Sequence, residues 1–86
     1  MPTVTLYTKD YCPYCTKAKS LLTRKGVKDI REIDITHDEN LQQEMLKKTG
    51  GRKSVPQIFI GDTHIGGCDD LYALDKDGKL LPLLES

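Results

Sequence analysis

The length and the charge balance narrow the kind of protein before any motif is considered. The chain has 86 residues, 37% of them hydrophobic and 30% charged, which suits one small globular domain over residues 1–86. Thirteen basic residues balance thirteen acidic ones, and no stretch resembles a signal peptide or a membrane span, so we expect a cytoplasmic protein that binds neither nucleic acid nor a membrane.

The first half of the chain predicts a strand, a helix and a second strand. Polar and apolar residues alternate over 3–7, which is typical of a short strand. Apolar residues then recur at helical spacing, with Pro13 suited to the first turn and Gly26 to the end, so a helix is predicted over about 13–25. A second strand at 30–35 completes a β-α-β unit, which requires a parallel strand pair and a right-handed crossover.

The next segment predicts a helix followed by a hairpin. Thr36 or Asp38 suits the helix cap, and Gly50 with Gly51 suits its end. The apolar run 55–60 then predicts a buried strand, joined to a short partner strand by a two-residue turn at Gly61 and Asp62. This hairpin makes the sheet a mixed one.

The C-terminal segment predicts a closing helix. Leu71 and Leu74 have helical spacing, Asp77 and Gly78 predict a turn, and four leucines between 80 and 84 indicate an amphipathic end. The predicted order is β-α-β-α-β-β-α, and the fold class is α/β, with a small four-stranded mixed sheet flanked by helices.

The segment Cys12-Pro13-Tyr14-Cys15 carries the chemistry. It lies where a strand ends and a helix begins, so Cys12 is expected beside the positive end of the helix dipole, with Lys9 nearby. Cysteines in such settings have pKa values of roughly 3.5–7.5, instead of about 8.5, and react as thiolates. Cys15 is one helical turn further on, within reach of a disulfide with Cys12 but turned inward, which suits a resolving thiol.

Two other interpretations of the cysteines are weaker. Three cysteines are an odd number, which fits a secreted disulfide framework poorly. A zinc site needs four ligands as a rule, and beyond the pair only Cys68, His37 and His64 remain, so no metal is expected. Cys68 is expected to behave as a small apolar residue and not as a third redox centre.

Three segments together resemble the dithiol branch of the glutaredoxin family. They are Cys12-Pro13-Tyr14-Cys15 after a strand, Ser54-Val55-Pro56 before another strand, and Gly66-Gly67-Cys68-Asp69-Asp70 before a helix. The resemblance covers nearly the whole chain and implies a thioredoxin-like fold. The chain departs from the family in having Ser54 where Thr is usual. A loop one residue longer leaves Arg52 and Lys53 without an assigned role.

The resemblance also implies a site for glutathione. Val55, before a cis Pro56, is expected to pair its backbone with the cysteinyl part of glutathione. The N–H groups of Cys68 and Asp69 would bind the γ-glutamyl carboxylate, and the Asp69 carboxylate would meet the ammonium group. The resemblance implies four further binding residues. Gly67 would allow close approach of the backbone, and Tyr14 would border the sulfur. Lys9 or Gln42 would bind the glycyl carboxylate.

The predicted activity is therefore glutathione-dependent thiol–disulfide exchange by a monomer. Cys12 would attack protein disulfides and protein–glutathione mixed disulfides, and Cys15 would resolve the mixed disulfides formed with proteins. The family resemblance implies ribonucleotide reductase among the protein substrates. Two alternatives remain open here: a carrier of an iron–sulfur cluster ligated by Cys12 and glutathione, and a redoxin reduced by thioredoxin reductase. Thioredoxins proper usually carry a tryptophan before the cysteine pair, and this chain has none.

Overall fold

A computed structural model describes residues 2–85, which form one four-stranded sheet and four helices. In chain order these elements are β1 (Val4–Thr8), α1 (Pro13–Arg24), β2 (Ile30–Asp34), α2 (Glu39–Thr49), β3 (Gln57–Ile60), β4 (Thr63–Gly66), α3 (Cys68–Lys76) and α4 (Leu80–Glu85). The predicted strands and the first two helices are all present, and the bounds predicted for them differ from those observed by at most two residues.

The sheet is mixed, as predicted, with strand order β2-β1-β3-β4. β1 pairs with β2 in parallel and with β3 in the antiparallel sense, while β3 and β4 form an antiparallel hairpin. Because β1 and β3 are the central strands, they bury side chains on both faces, which explains the apolar run of β3.

The helices cover both faces of the sheet and create two separate cores. One face packs against α1, α3 and α4 through a cluster that includes Leu6, Leu22, Ile58, Leu71 and Leu80, all 0% exposed. The opposite face packs against α2 through a smaller cluster of buried residues, Tyr7, Ile35, Met45 and Phe59. The alternation of Leu6 and Tyr7 along β1 sends neighbouring side chains into different cores.

The C-terminal region differs from the prediction of a single closing helix. Gly78 adopts a positive φ of 72°, its N–H donates to the Asp75 carbonyl at 3.1 Å, and the Lys79 N–H donates to the Leu74 carbonyl at 2.9 Å. These bonds end α3, and the chain resumes as α4, which buries Leu80 and Leu84. The predicted turn is therefore a break between two helices, and the order gains one element.

Among residues 2–85, no helix has both the length and the apolar character that crossing a membrane would require.

Tyr7 generates a prediction about the pH dependence of stability. Its side chain is 1% exposed, and its hydroxyl donates to Glu44 Oε2 at 2.7 Å. Burial, and then the bond to Glu44, raise the pKa of Tyr7 to about 12. The fold thus favours the neutral phenol, and this stabilisation is present below about pH 10, the pKa of an unfolded tyrosine, and is lost as the pH rises towards 12.

We expect the free energy of unfolding of the wild type to fall more steeply between pH 10 and 12 than that of Tyr7→Phe, which has no phenol to ionise. Urea denaturation at a series of pH values measures both curves. Lysines titrate in the same range in both proteins, so their contribution cancels in the comparison. Parallel curves for the two proteins would contradict this role of Tyr7.

Candidate functional site

Three loops meet at one end of the sheet. Tyr7 near the end of β1 lies opposite Gln57 at the start of β3, and Ile58 lies opposite Gly66 at the end of β4. The loop after β1, the loop before β3 and the segment after β4 are therefore neighbours. These are the three segments that carry the sequence motifs.

Cys12 lies at the start of α1 and acts as its N-cap. Its backbone is extended, with φ −149° and ψ 91°, and its Sγ accepts a hydrogen bond from the Cys15 N–H at 3.1 Å. Pro13 occupies the first helical turn, where a missing N–H costs nothing. A sulfur thus takes the position that a side-chain oxygen usually fills, and a negative charge on it is favoured there.

Cys12 and Cys15 form a disulfide in this structure, with their Cα atoms 5.2 Å apart. The expectation that the two thiols lie within bonding reach is therefore confirmed. Cys15 is 3% exposed, whereas Cys12 is only partly buried. Of the two cysteines, Cys12 is the more accessible to an external molecule.

A shallow pocket of about 160 Å³ lies in this region of the sheet. Six of the eight predicted glutathione-binding residues line it, namely Tyr14, Val55, Pro56, Gly67, Cys68 and Asp69. The Val55–Pro56 peptide bond is cis, as the family resemblance implied.

The other two predicted binding residues lie outside the lining of this pocket. Lys9 is exposed just after β1, and the Gln42 amide nitrogen donates to the Ile35 carbonyl at 2.8 Å. Gln42 therefore already uses one of its polar groups within the fold.

Three lining residues were not predicted as part of the site: Arg52, Ser54 and Asp70. The Arg52 guanidinium pairs with Asp70 Oδ2 at 3.2 Å, which joins the loop after α2 to the start of α3. Asp70 also accepts from the Gly67 N–H at 2.8 Å, and this bond, followed by Arg52, lowers the pKa of the Asp70 carboxyl.

Gly66 makes room for this ion pair. Its φ is 117°, and a Cβ at this position would collide with the Asp70 carboxylate. The same Cβ would lie only 2.8 Å from a guanidinium nitrogen of Arg52. Thr49 fixes the other side of the pair, because its hydroxyl donates to the Arg52 carbonyl at 3.2 Å and accepts from the Arg52 N–H at 3.1 Å. These contacts fix Arg52 in the lining of the pocket. The sequence of its glycine-rich loop does not indicate this position.

Hydrogen bonds of the buried Gln57 side chain connect the loop before β3 to β4. Gln57 is 0% exposed, and its Nε2 donates to the Ser54 carbonyl at 2.9 Å. Because a carbonyl only accepts, the Gln57 Oε1 must face His64, whose Nε2 lies 2.8 Å away and donates. Burial lowers the pKa of His64, which keeps the ring neutral at neutral pH.

Cys68 is 6% exposed at the start of α3, and burial raises the pKa of its thiol. It therefore stays protonated where Cys12 is favoured as a thiolate. Among residues 2–85 no group of three or more His, Cys, Asp or Glu side chains is arranged to hold a metal ion.

Comparison with known proteins gives consistent matches. The family model for glutaredoxin matches residues 4–65. Glutaredoxin 3 of Escherichia coli K12 is 54% identical over 85 residues, covering 99% of this chain and 100% of that protein. A glutaredoxin of Pseudomonas aeruginosa is 52% identical over 86 residues, covering 100% of both chains. A crystal structure of a buckwheat glutaredoxin–glutathione complex has a TM-score of 0.86 and 34% identity, covering 98% of this chain and 77% of that chain.

Gln57 generates a prediction about stability. Gln57→Met keeps the shape of the side chain but leaves the Ser54 carbonyl and the His64 N–H without their partner. Both hydrogen bonds are partly buried, and losing such a bond costs about 0.5–1.5 kcal/mol, so we expect a loss of stability of about 1–3 kcal/mol for the two together in urea denaturation. Gln43→Met, on the exposed side of α2, is the control and should change stability by less than about 0.5 kcal/mol. Equal effects of the two changes would contradict the supporting role of Gln57.

Proposed function

The chain belongs to the glutaredoxin family and is a glutathione-dependent thiol–disulfide oxidoreductase, and we propose that Cys12 is its nucleophile and Cys15 its resolving thiol. The difference in exposure between the two cysteines supports this assignment, because Cys15 is buried and Cys12 is only partly buried. The position of Cys12 at the start of α1 supports it further, since the helix end favours the thiolate that attacks.

Removal of glutathione from a protein needs Cys12 alone. The Cys12 thiolate attacks the glutathione sulfur of a mixed disulfide, a Cys12–glutathione bond forms, and the protein cysteine leaves as a thiolate. A second glutathione thiolate then attacks the glutathione sulfur on Cys12. Oxidised glutathione is released, and the Cys12 thiolate is restored.

Reduction of a protein disulfide needs both cysteines. Cys12 attacks one sulfur of the disulfide, and the other protein cysteine leaves as a thiolate. Cys15 then attacks Cys12 and displaces the remaining protein cysteine, giving the Cys12–Cys15 disulfide that the structure contains. Two glutathione molecules reduce this bond. A cysteine pair that closes on itself in this way favours exchange chemistry over the alternative of an iron–sulfur cluster carrier.

The pocket that Tyr14, Val55 and Asp69 line suits the γ-glutamyl half of glutathione. Gly67 caps α3 without a side chain, which leaves room for a carboxylate at the N–H groups of Cys68 and Asp69. The exposed Asp69 carboxylate is available for the ammonium group, and Val55 borders the same pocket with its backbone. Because a pocket of about 160 Å³ encloses only part of a tripeptide, the glycyl end would extend towards Lys9.

The remaining assignments follow from the family membership. We propose that residues 1–86 form a single domain that acts as a cytoplasmic monomer in electron transport and cell redox homeostasis. Its protein partners would be glutathionylated proteins and disulfide-containing proteins such as ribonucleotide reductase. The balanced charge of thirteen basic and thirteen acidic residues suits such a diverse set of partners.

The roles of the two cysteines can be separated by substitution. We expect Cys12→Ser to lose all activity, because no other accessible thiol stands at the site. Cys15→Ser should still remove glutathione from a glutathionylated peptide but should lose reduction of intramolecular protein disulfides, since only that reaction needs the second thiol. Glutathione-coupled assays with the two substrates measure this. Loss of both reactions in Cys15→Ser would refute the assignment.

The glutathione site can be tested through Asp69. Asp69→Lys sets a cation against the γ-glutamyl ammonium group, and such like-charge opposition costs several kcal/mol at a partly desolvated site. We expect at least a ten-fold loss of glutathione-dependent turnover, while the rate of Cys12 alkylation by iodoacetamide stays unchanged.

The matched control is Asp77→Lys, which makes the same change of charge at the exposed C-terminal end of α3. Asp77 follows Asp69 by eight residues, which corresponds to roughly 12 Å along a helix, so turnover should stay near that of the wild type. A similar loss in both variants would mean that overall charge, and not a local contact, controls turnover.

A further inference from the structure

Two large aromatic side chains are exposed on either side of Cys12. Tyr11 is 87% exposed and Tyr14 is 59% exposed. Their surroundings differ, because Tyr14 lines the proposed glutathione pocket and Tyr11 does not. Tyr11 therefore adjoins Cys12 in the chain but lies outside the lining of that pocket.

The exposure of Tyr11 is built into an anchored loop. The Tyr11 N–H donates to Asp10 Oδ1, and the Asp10 N–H donates to Thr36 Oγ1, both at 2.8 Å. The Thr36 N–H in turn donates to Asp34 Oδ1 at 2.8 Å. This chain of bonds ties the loop to the end of β2. These bonds connect the backbone at Tyr11 to the end of β2, and the Tyr11 side chain stays exposed to solvent.

The geometry of a disulfide with Cys12 places the backbone of a protein substrate close to Tyr11. In any disulfide the two Cα atoms are about 4.4–6.8 Å apart, so the backbone of a protein bound through Cys12 must pass within that distance of the Cys12 Cα. Consecutive Cα atoms are about 3.8 Å apart, so the residues next to the substrate cysteine come within reach of the residues next to Cys12. Tyr11 and Pro13 are the two residues that adjoin Cys12, and Tyr11 is the aromatic one, with most of its side chain available to be buried.

We propose that Tyr11 is a docking contact for protein disulfides, and that it packs against an apolar side chain next to the substrate cysteine that Cys12 attacks. This inference rests on the proposed role of Cys12 as nucleophile. The contact forms while Cys12 bonds to one substrate sulfur and the other substrate cysteine leaves as a thiolate. The cysteine of glutathione is flanked by a γ-glutamyl residue and a glycine, neither of which has an apolar side chain, and small disulfides have no flanking residues. The contact therefore selects among protein substrates without affecting the reductant.

Two cyclic peptides with one intramolecular disulfide each provide the test. One carries Phe on both sides of each cysteine, and the other carries Ser at the same positions. Glutathione-coupled reduction is measured for the wild type, Tyr11→Ala and Tyr11→Phe, with hydroxyethyl disulfide as the small substrate. Leu81→Ala, which removes an apolar side chain that is 44% exposed on α4, is the matched control.

We expect Tyr11→Ala to lower kcat/KM for the Phe peptide five- to ten-fold, mainly through KM, and Tyr11→Phe to restore it because the ring is retained. Reduction of the Ser peptide and of hydroxyethyl disulfide should change less than two-fold, and Leu81→Ala should match the wild type. A Phe peptide reduced equally well by Tyr11→Ala, or an equal loss on all three substrates, would overturn the docking contact while the role of Cys12 stands. A wild type that is inactive towards hydroxyethyl disulfide would instead overturn the proposed function, and the docking contact with it.

Discussion

The antiparallel pairing of β3 with both of its neighbours determines where the chemistry is assembled. Because β3 runs opposite to β1 and β4, the end of β1, the start of β3 and the end of β4 lie at one end of the sheet. Three segments that are far apart in the sequence thus become neighbours. A slip of one residue in this register would turn Leu6 and Ile58 out of their core, so burial of the apolar side chains also fixes the geometry of the site.

A different local interaction fixes each of these three segments, which are the loop after β1, the loop before β3 and the segment after β4. The first begins a helix with a cysteine sulfur as its cap. The second is supported by the buried Gln57, whose amide connects His64 to the Ser54 carbonyl. The third is fixed by Asp70, which accepts from Gly67 and pairs with Arg52. The pocket walls are therefore positioned before any ligand arrives, which reduces the ordering that binding requires.

The sequence was sufficient to predict those features that depend on local patterns. Periodicity predicted the elements, and the cysteine spacing predicted the disulfide between Cys12 and Cys15. The contacts of Arg52 with Asp70 and of Gln57 with His64 were not predicted, because each depends on how distant segments meet. A polar residue inside an apolar strand, as Gln57 is, was the one available signal of a buried partner. The binding roles of all eight predicted glutathione-binding residues, including Lys9 and Gln42, remain predictions.

The unequal size of the two cores has a consequence for local unfolding. In the part of the chain that the structure describes, α2 faces a cluster of only four buried residues, whereas the cluster on the opposite face of the sheet has twelve. Burial of apolar side chains is the main stabilising contribution, so α2 is expected to open at a lower free energy than α1, and its amides to exchange with deuterium first. Opening on that side would leave Cys12, Cys15 and the α1 scaffold intact. The helix that is expected to open most easily, α2, thus lies on the opposite face of the sheet from α1, which carries the reactive cysteine at its start.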